Sequence, residues 1–332
     1  MPKAIDWEAR IGRRIRLRDL HVLFAVDQFG SMAKAGAVLG ITQSAVSQIV
    51  ADLENALGVS LLDRSTRGVE ATVYGRALLK YGKAAFDTLR QGIQEIEFLA
   101  DPGVGEIRIG APESVSSAIL PTILRKFSQQ HPRAHIDIDT TDVTAAIPKL
   151  RDRSLDIVMA LGGRAREDIW LAKDLKVELL FNDELVIAAD MNNPLAHRRK
   201  LDLADLAEVP WLLAPSGFSN VVLAEAFRIR GLDMPNVVLR TFSIHIRANL
   251  IVGSHFVTTL PRSVLDYYAH RLAVKALPVA LPARPWPLVM VTLKDRTVGP
   301  IVERFIKCAR DVSKSIAEKS KRPNHRVSRR ST

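Results

Sequence analysis

The sequence predicts a chain in two parts: an N-terminal all-α winged helix-turn-helix with one long linker helix behind it, and a C-terminal α/β region of two lobes. Three observations lead there. Apolar residues recur at three- and four-residue spacing through the first hundred positions, the stripe of amphipathic helices. After Gly105, short β-rich runs alternate with helical segments, as in parallel α/β units. The length of 332 residues suits two domains of roughly 150 residues each.

Leu20, Leu23 and Phe24 mark the first helix, which Gly30 ends. Ser31 caps a short second helix carrying Ala33, Ala37 and Val38 and stopping at Gly40. Thr42 caps a third, with Val46, Ile49, Val50, Leu53 and Leu57 on one side and Gly58 closing it. Residues 63–72 form a polar stretch turning at Gly68, a small β-hairpin. From 74 to about 99 no proline interrupts a helical stripe of Leu78, Tyr81, Ala85, Leu89, Ile93 and Ile96, so one long helix is expected. Asp101-Pro102-Gly103 breaks it. Strand-like runs at 107–109, 135–139 and 156–161 then alternate with helices at 119–127 and 145–150. Runs at 177–181 and 185–189 flank Asn182-Asp183-Glu184, and a second α/β set spans 210–261. A strand at 288–293 and a helix from about Gly299 to Lys314 finish the chain. The expected result is two lobes joined by crossing segments, with a cleft between them.

Composition narrows the function classes. Hydrophobic residues make up 47% and charged residues 25%, which suits a folded soluble chain. No run approaches the ~18 apolar residues of a membrane span. Residues 1–18 carry five arginines without an apolar core, which argues against a secretory signal. The single cysteine, Cys308, cannot form an internal disulfide, so the cytoplasm is the default compartment. The net charge of +11 favours polyanionic partners. Residues 314–332 hold seven bases against one acid; they are expected to be a disordered solubilising tail, with an auxiliary nucleic-acid contact as the alternative. The tail cannot carry an argument for DNA binding, which has to come from a motif.

Residues 31–58 supply one. A short helix, a tight turn at Gly40-Ile41-Thr42 and a second helix make a helix-turn-helix. Ala33, Ala35, Gly36 and Ala37 provide the small residues that a close helix crossing requires, and Val46, Ile49 and Leu53 lock the second helix to the first. The leading turns of that second helix carry Gln43, Ser44, Ser47 and Gln48. Glutamine bonds the N6/N7 edge of adenine in the major groove, and serine serves several bases or a phosphate. Thr42 caps a helix end whose free N–H groups favour a phosphate. Ser31 and Lys34 open the preceding helix on the same side, and Arg64 and Arg67 on the hairpin are placed like a wing touching the DNA backbone or minor groove.

Ala33-x-Ala35, 42–49 (TQSAVSQI), Leu53-Glu54, Leu57-Gly58, Leu61-Leu62-x-Arg64 and Thr72-x-x-Gly75 closely resemble the N-terminal domain of LysR-type transcriptional regulators. Landmarks further on are similar to that family's effector-binding domain: 107–110 (IRIG), Leu120-Pro121, Phe127, His131-Pro132, 155–157 (LDI), 193–196 (NPLA), Gly231-Leu232-x-x-Pro235 and Leu260-Pro261. The likeness spans roughly 17–310. It departs at Leu62, where phenylalanine is commoner, at Ala71, where leucine is, and at Ser254-His255, which replace smaller residues. The resemblance implies a DNA-binding domain at 17–75, a linker and dimerisation helix at 74–100 and a two-lobed, periplasmic-binding-protein-like effector domain at 105–310. It further implies a homotetramer built as a dimer of dimers, double-stranded promoter DNA and RNA polymerase as partners, and a small-molecule effector between the lobes.

In such a fold, ligands sit at the carboxyl ends of strands. That points to Ser114, Ser116 and Ser117 after the first strand, Thr141 after the second and Gly162 after the third. In the second lobe it points to Ser216 and Phe218, and to Ser243. Plain N-capping is the competing role for each serine. Arg164, Arg166 and Arg247 are possible carboxylate partners, although each reads more readily as a surface charge. Hydroxyls and helix starts around the cleft favour an anionic ligand.

Rival chemistries find less support. Ser31-Met32-Ala33-Lys34 matches the Ser-x-x-Lys pattern of penicillin-recognising enzymes but lacks their companion motifs. Pro132 disfavours one helix carrying both His131 and His135, and neither His-Glu-x-x-His nor Cys-x-x-Cys occurs, so no metal or cofactor is expected. A solute-binding protein would explain the lobes but not the first hundred residues. A cleft enzyme would need a clustered acid, base or nucleophile, so neither catalysis nor a catalytic residue is expected.

Overall fold

A computed structural model describes residues 13–65, 68–101, 103–161, 171–269, 271–282 and 286–320. The chain divides into two compact units, residues 1–93 and 94–332. Among the described residues no helix is long and apolar enough to cross a membrane.

The first unit opens with α1 (Leu17–Phe29), α2 (Met32–Leu39) and α3 (Gln43–Leu57). Gly30, Gly40 and Gly58 end these three helices in the left-handed region, where a side chain would be strained. The hairpin is β1 (Leu62–Ser65) paired antiparallel with β2 (Gly68–Ala71), Ser65 opposite Gly68. Gly68 therefore opens the second strand, and residues 66–67 lie outside the described residues. The core joins Val22, Leu23 and Val26 of α1 to Val46, Val50 and Leu53 of α3. The long helix is α4 (Val73–Ala100). Its lower part packs by Gly82 against Phe24, where a Cβ would come within 2.9 Å of the ring, and by Phe86 edge-on to Phe24 at 5.5 Å. Further along, Tyr81, Leu89, Ile93, Ile96 and Leu99 remain exposed.

The second unit has two five-stranded sheets. In the first lobe, β3 (Val104–Ala111) leads through one helical turn, α5 (Glu113–Ser116), into α6 (Ile119–Gln130). Then come β4 (Arg133–Thr140), α7 (Val143–Arg151), β5 (Ile157–Leu161) and β6 (Leu175–Asp183). The chain crosses at Glu184 into the second lobe: β7 (Leu185–Asp190), β8 (Trp211–Leu213), α8 (Phe218–Ile229), β9 (Val237–Arg240), α9 (Ile244–Ile251), β10 (Val257–Pro261), α10 (Arg262–Ala269) and β11 (Val274–Ala276). It returns to the first lobe with β12 (Trp286–Leu293) and ends on α11 (Pro300–Ser320). The sheet orders are β4-β3-β5-β12-β6 and β11-β7-β10-β8-β9. β3, β4 and β5 are parallel in the first lobe, and β8, β9 and β10 in the second.

Helix α11 runs through residues 314–320, which the sequence assigns to a disordered tail. The apolar face continues there: Ile316 and Ala317 pack on the first-lobe core beside Val312. Residues 321–332 lie outside the described residues.

Two buried carboxylates hold the second unit together. Asp183, the last residue of β6 in the first lobe, accepts hydrogen bonds from the Ser263 hydroxyl and from the backbone N–H of Ser263 in the second lobe, and from the Glu184 N–H at 2.8 Å. Burial pushes its carboxyl up from the ordinary range, against the opposing pull of those donors. Asp156 accepts from Arg108 Nη2 at 3.0 Å and Arg296 Nη2 at 2.7 Å, pinning β3 to the segment after β12. Burial alone would raise its pKa, but the hydrogen bonds and charge of Arg108, with the charge of Arg296, hold the carboxyl below the usual range.

Removing Asp156 would leave two guanidiniums without their buried anion. Asp156→Ala is expected to cost about 3–5 kcal/mol in denaturant unfolding of the second unit. Because the folded pKa lies below the unfolded one, this stabilisation is fully present above the ordinary carboxylate pKa and is lost as pH falls through the lowered value. Acid unfolding below about pH 4 should therefore be steeper in the wild type than in Asp156→Ala, measured by circular dichroism.

Candidate functional site

The geometry of the helix-turn-helix starts at Gly36. A Cβ there would lie 2.7 Å from the Ile41 carbonyl oxygen, so the α2–α3 turn closes only over glycine. The buried face of α2 is Met32, Ala35 and Gly36. Ala33, Ala37 and Val38, expected to pack, face solvent instead; the stripe is turned by one position because α2 is too short to show its phase.

Thr42 caps α3, its hydroxyl accepting from the Ala45 N–H at 3.1 Å. Beyond the cap, Gln43, Ser44 and Gln48 are exposed. The Ser44 hydroxyl sits 2.9 Å from that of Thr42, and the Gln48 amide donates to Asp52 at 2.8 Å, one turn on. Ser47 is half-buried, with its hydroxyl on Met32 Sδ at 3.5 Å. Ser31 caps α2 through the Lys34 N–H, and the Lys34 side chain is exposed. The leading end of α3 thus presents two amides and a hydroxyl, while Ser31 and Ser47 are engaged within the fold. Arg64 pairs through its backbone with Val69 in the hairpin; Arg67 lies outside the described residues.

In the second unit the expected cleft residues have different surroundings. Ser114 is half-buried, and the Ser117 hydroxyl is buried without a hydrogen bond. Ser116 donates to the Ala111 carbonyl at 3.3 Å and lines an open groove of about 560 Å³ beside Leu120, Leu124 and Ile138. The serines lie on and just after a single helical turn, and the chain bends again at Ala118 before α6. Thr141 is half-buried and its N–H bonds Ala111. Ser216 is exposed. Phe218 stacks on Trp286 at 5.5 Å and lines a pocket of about 450 Å³ with Asp183, Glu184 and Arg262. Ser243 is the N-cap of α9, accepting from the Ile246 N–H at 3.3 Å. Gly162, Arg164 and Arg166 lie outside the described residues. Among the described residues, no three His, Cys, Asp or Glu side chains come together to hold a metal.

The residue that sequence reasoning undervalued is Arg247. Far from a surface charge, it is only 5% exposed. Its Nη1 donates to Thr258 Oγ1 at 3.1 Å and to the Thr259 carbonyl at 2.9 Å, while its Nε is buried with no acceptor. Among the described residues it has no ion pair; Glu113 of the first lobe acts on it only at a distance. Burial pulls its pKa down to about 10, so the penalty on the cation is present at every pH below that. A signal existed in the sequence: Ile244, Arg247, Ala248 and Ile251 follow the i, i+3, i+4, i+7 rhythm of a buried face. Ala118 of the first lobe packs with Ile244, Ala248 and Tyr268 of the second, so Arg247 stands where the lobes meet. A buried guanidinium with a free donor can hold a carboxylate.

Comparison with known proteins adds the following. Residues 17–76 match the family model described as bacterial regulatory helix-turn-helix protein, lysR family. Residues 100–314 match the LysR substrate binding domain. The chain is 27% identical over 278 residues to the HTH-type transcriptional regulator TdcA of Escherichia coli (strain K12), covering 82% of this chain and 86% of that one. It is 26% identical over 291 residues to the transcriptional dual regulator GltC of Bacillus subtilis (strain 168), covering 88% and 95%. Among solved structures, CbnR, a LysR family transcriptional regulator, is similar in fold, with a TM-score of 0.58 at 21% identity over 90% of this chain and 99% of that one.

Arg247→Met should distinguish a structural arginine from a ligand-holding one. With the uncompensated charge gone and two hydrogen bonds lost, unfolding free energy is expected to change by less than about 1 kcal/mol. A loss of several kcal/mol in urea denaturation would mark Arg247 as a fold determinant.

Proposed function

This chain belongs to the LysR family of bacterial regulatory proteins, and on that premise we propose how its parts divide the work. The chain is a DNA-binding transcriptional regulator. Its leading end of α3 enters the major groove, with Gln43, Ser44 and Gln48 reaching base edges and Thr42 and Lys34 meeting phosphates. The observation that carries this is the exposure of Gln43, Ser44 and Gln48 on the leading turns of a helix seated on a tightly crossed partner. The hairpin follows as the wing, with Arg64 and Arg67 on the DNA backbone. Ser47, held on Met32, contributes less than the glutamines.

The exposed stripe of α4 pairs with the same stripe of a second copy, and two such dimers form the tetramer. A small molecule carrying negative charge binds between the lobes at Arg247, with Ser114 and Ser117 nearby, and alters how the assembly bends DNA and meets RNA polymerase. Regulation of genes places the protein in the cytoplasm.

Gel shift on the DNA upstream of its own gene tests the first claim. Gln43→Ala is expected to cost about 1–3 kcal/mol on that site and little on random DNA. Lys34→Ala should weaken both equally and lower the salt slope by about one. Equal loss on both DNAs for Gln43→Ala would remove the base-reading role. For the second claim, Ile93→Glu is expected to reduce the mass measured by analytical ultracentrifugation to that of a smaller species; an unchanged mass would move the interface elsewhere.

A further inference from the structure

The lobe junction holds two opposite charges that do not touch. Arg247 is buried, with a free Nε, on the second lobe. Glu113, half-buried on α5 of the first lobe, exerts its charge on both Arg247 and Tyr268, but its side chain makes no ion pair or hydrogen bond among the described residues. One packing fact brings these segments to one junction: Ala118, just past α5, belongs to the same buried cluster as Ile244, Ala248 and Tyr268, and Arg247 precedes Ala248 in the chain. The buried Ser117 hydroxyl, next to Ala118, also lacks a partner. Elsewhere in this unit, buried arginines are neutralised directly, as Arg296 is by Asp156 at 2.7 Å.

A simple anion at Arg247 would gain one charge-assisted pair and meet the carboxylate of Glu113 head on. A simple cation at Glu113 would face the guanidinium. The pair as a whole is neutral but strongly dipolar, and a ligand of matching dipole satisfies both ends without repulsion. Buried donors left unpaired are costly, which favours a ligand that reaches Arg247 Nε and the Ser117 hydroxyl together.

We propose that the effector is a zwitterion of the α-amino-acid type, its carboxylate held by Arg247 and Ser117 and its ammonium by Glu113. This rests on the effector cleft proposed above and sharpens its anionic ligand into a dipolar one. Tyr268, whose phenol burial keeps neutral, closes the apolar wall beside the ligand's side chain.

The test is a thermal-shift and calorimetry panel on the full-length protein. The probes are the twenty common L-amino acids, each beside its des-amino carboxylic acid and its decarboxylated amine. At least one amino acid is expected to raise Tm, with its two truncated analogues binding about ten- to hundredfold more weakly. Glu113→Gln is expected to erase the preference for the amino acid over its des-amino acid. Arg247→Met is expected to abolish binding of both. A des-amino acid that binds as tightly as its amino acid, or a Glu113→Gln variant that keeps the preference, would overturn the zwitterion while leaving an anionic effector at Arg247 standing. If no probe raises Tm, or if Arg247→Met binds as well as the wild type, both the zwitterion and the Arg247 cleft fall.

Discussion

The crossing between the lobes governs what the second unit can do. Asp183 ends a strand of the first lobe, yet its carboxylate caps the start of α10 in the second. Trp286, the first residue of the returning strand, lies opposite Asp183 in register. The end of β6 and the start of β12 therefore lie side by side, and the Asp183 carboxylate ties the former to α10. Parting the lobes here would strip Asp183 of its two Ser263 donors in a desolvated place. What remains is a twist or closure about this pair of strands, the hinge motion expected of a two-lobed binding domain. Arg247 is joined to the same point through β10. It donates to the Thr259 carbonyl, and β10 runs by Pro261 straight into the helix that Asp183 caps. On the proposed reading, a ligand that draws Arg247 toward the first lobe would act on this crossing through the Thr259 carbonyl, β10 and the Ser263–Asp183 bond.

Buried charge serves opposite purposes in the two places. Asp156 is enclosed by two arginines and by a backbone N–H, and its lowered pKa shows that these partners outweigh the cost of burial. That triad fixes β3, β5 and the segment after β12 and has no capacity left for a ligand. Arg247 shows the reverse balance: burial dominates, and among the described residues no carboxylate touches it. A fold tolerates one such cation because its cores are otherwise apolar and well packed, with residues such as Phe127 and Phe305 fully buried and edge-on at 5.3 Å.

Much of this was legible in the residues, and the reason differs by element. The three N-terminal helices and their ends were readable because glycines and caps act locally: Gly30, Gly40 and Gly58 each end a helix, and Thr42 begins one. The alternation of strands and helices in the lobes was readable from period alone. The buried face of α2 was not, because eight residues give too few turns to fix a phase. The end of α11 was misjudged because charge was weighed above the stripe that Ile316 and Ala317 continue. Arg247 escaped for a deeper reason. A lone arginine in a sequence is rightly taken as surface, and only the apolar spacing around it argues otherwise. The site is where composition and position disagree.

The long helix supplies the remaining constraint. α4 is 28 residues long, and from Tyr81, 70% exposed, to Leu99, 73% exposed, its apolar stripe lies open. Water is a poor neighbour for such a stripe, and a second copy offers a surface of the same kind, so the proposed pairing would remove an apolar liability. The proposed reading head would gain from that pairing. One α3 presents only a few exposed polar side chains to a groove, which limits what a single head can discriminate. Two heads on one rigid helical pair bind as a unit, and the second contact forms at high effective concentration. Sequence preference then depends on the spacing of the heads as well as on the glutamines. That spacing is a property of the whole assembly, and it is the quantity a ligand acting on the lobes must change if it is to be felt at the DNA.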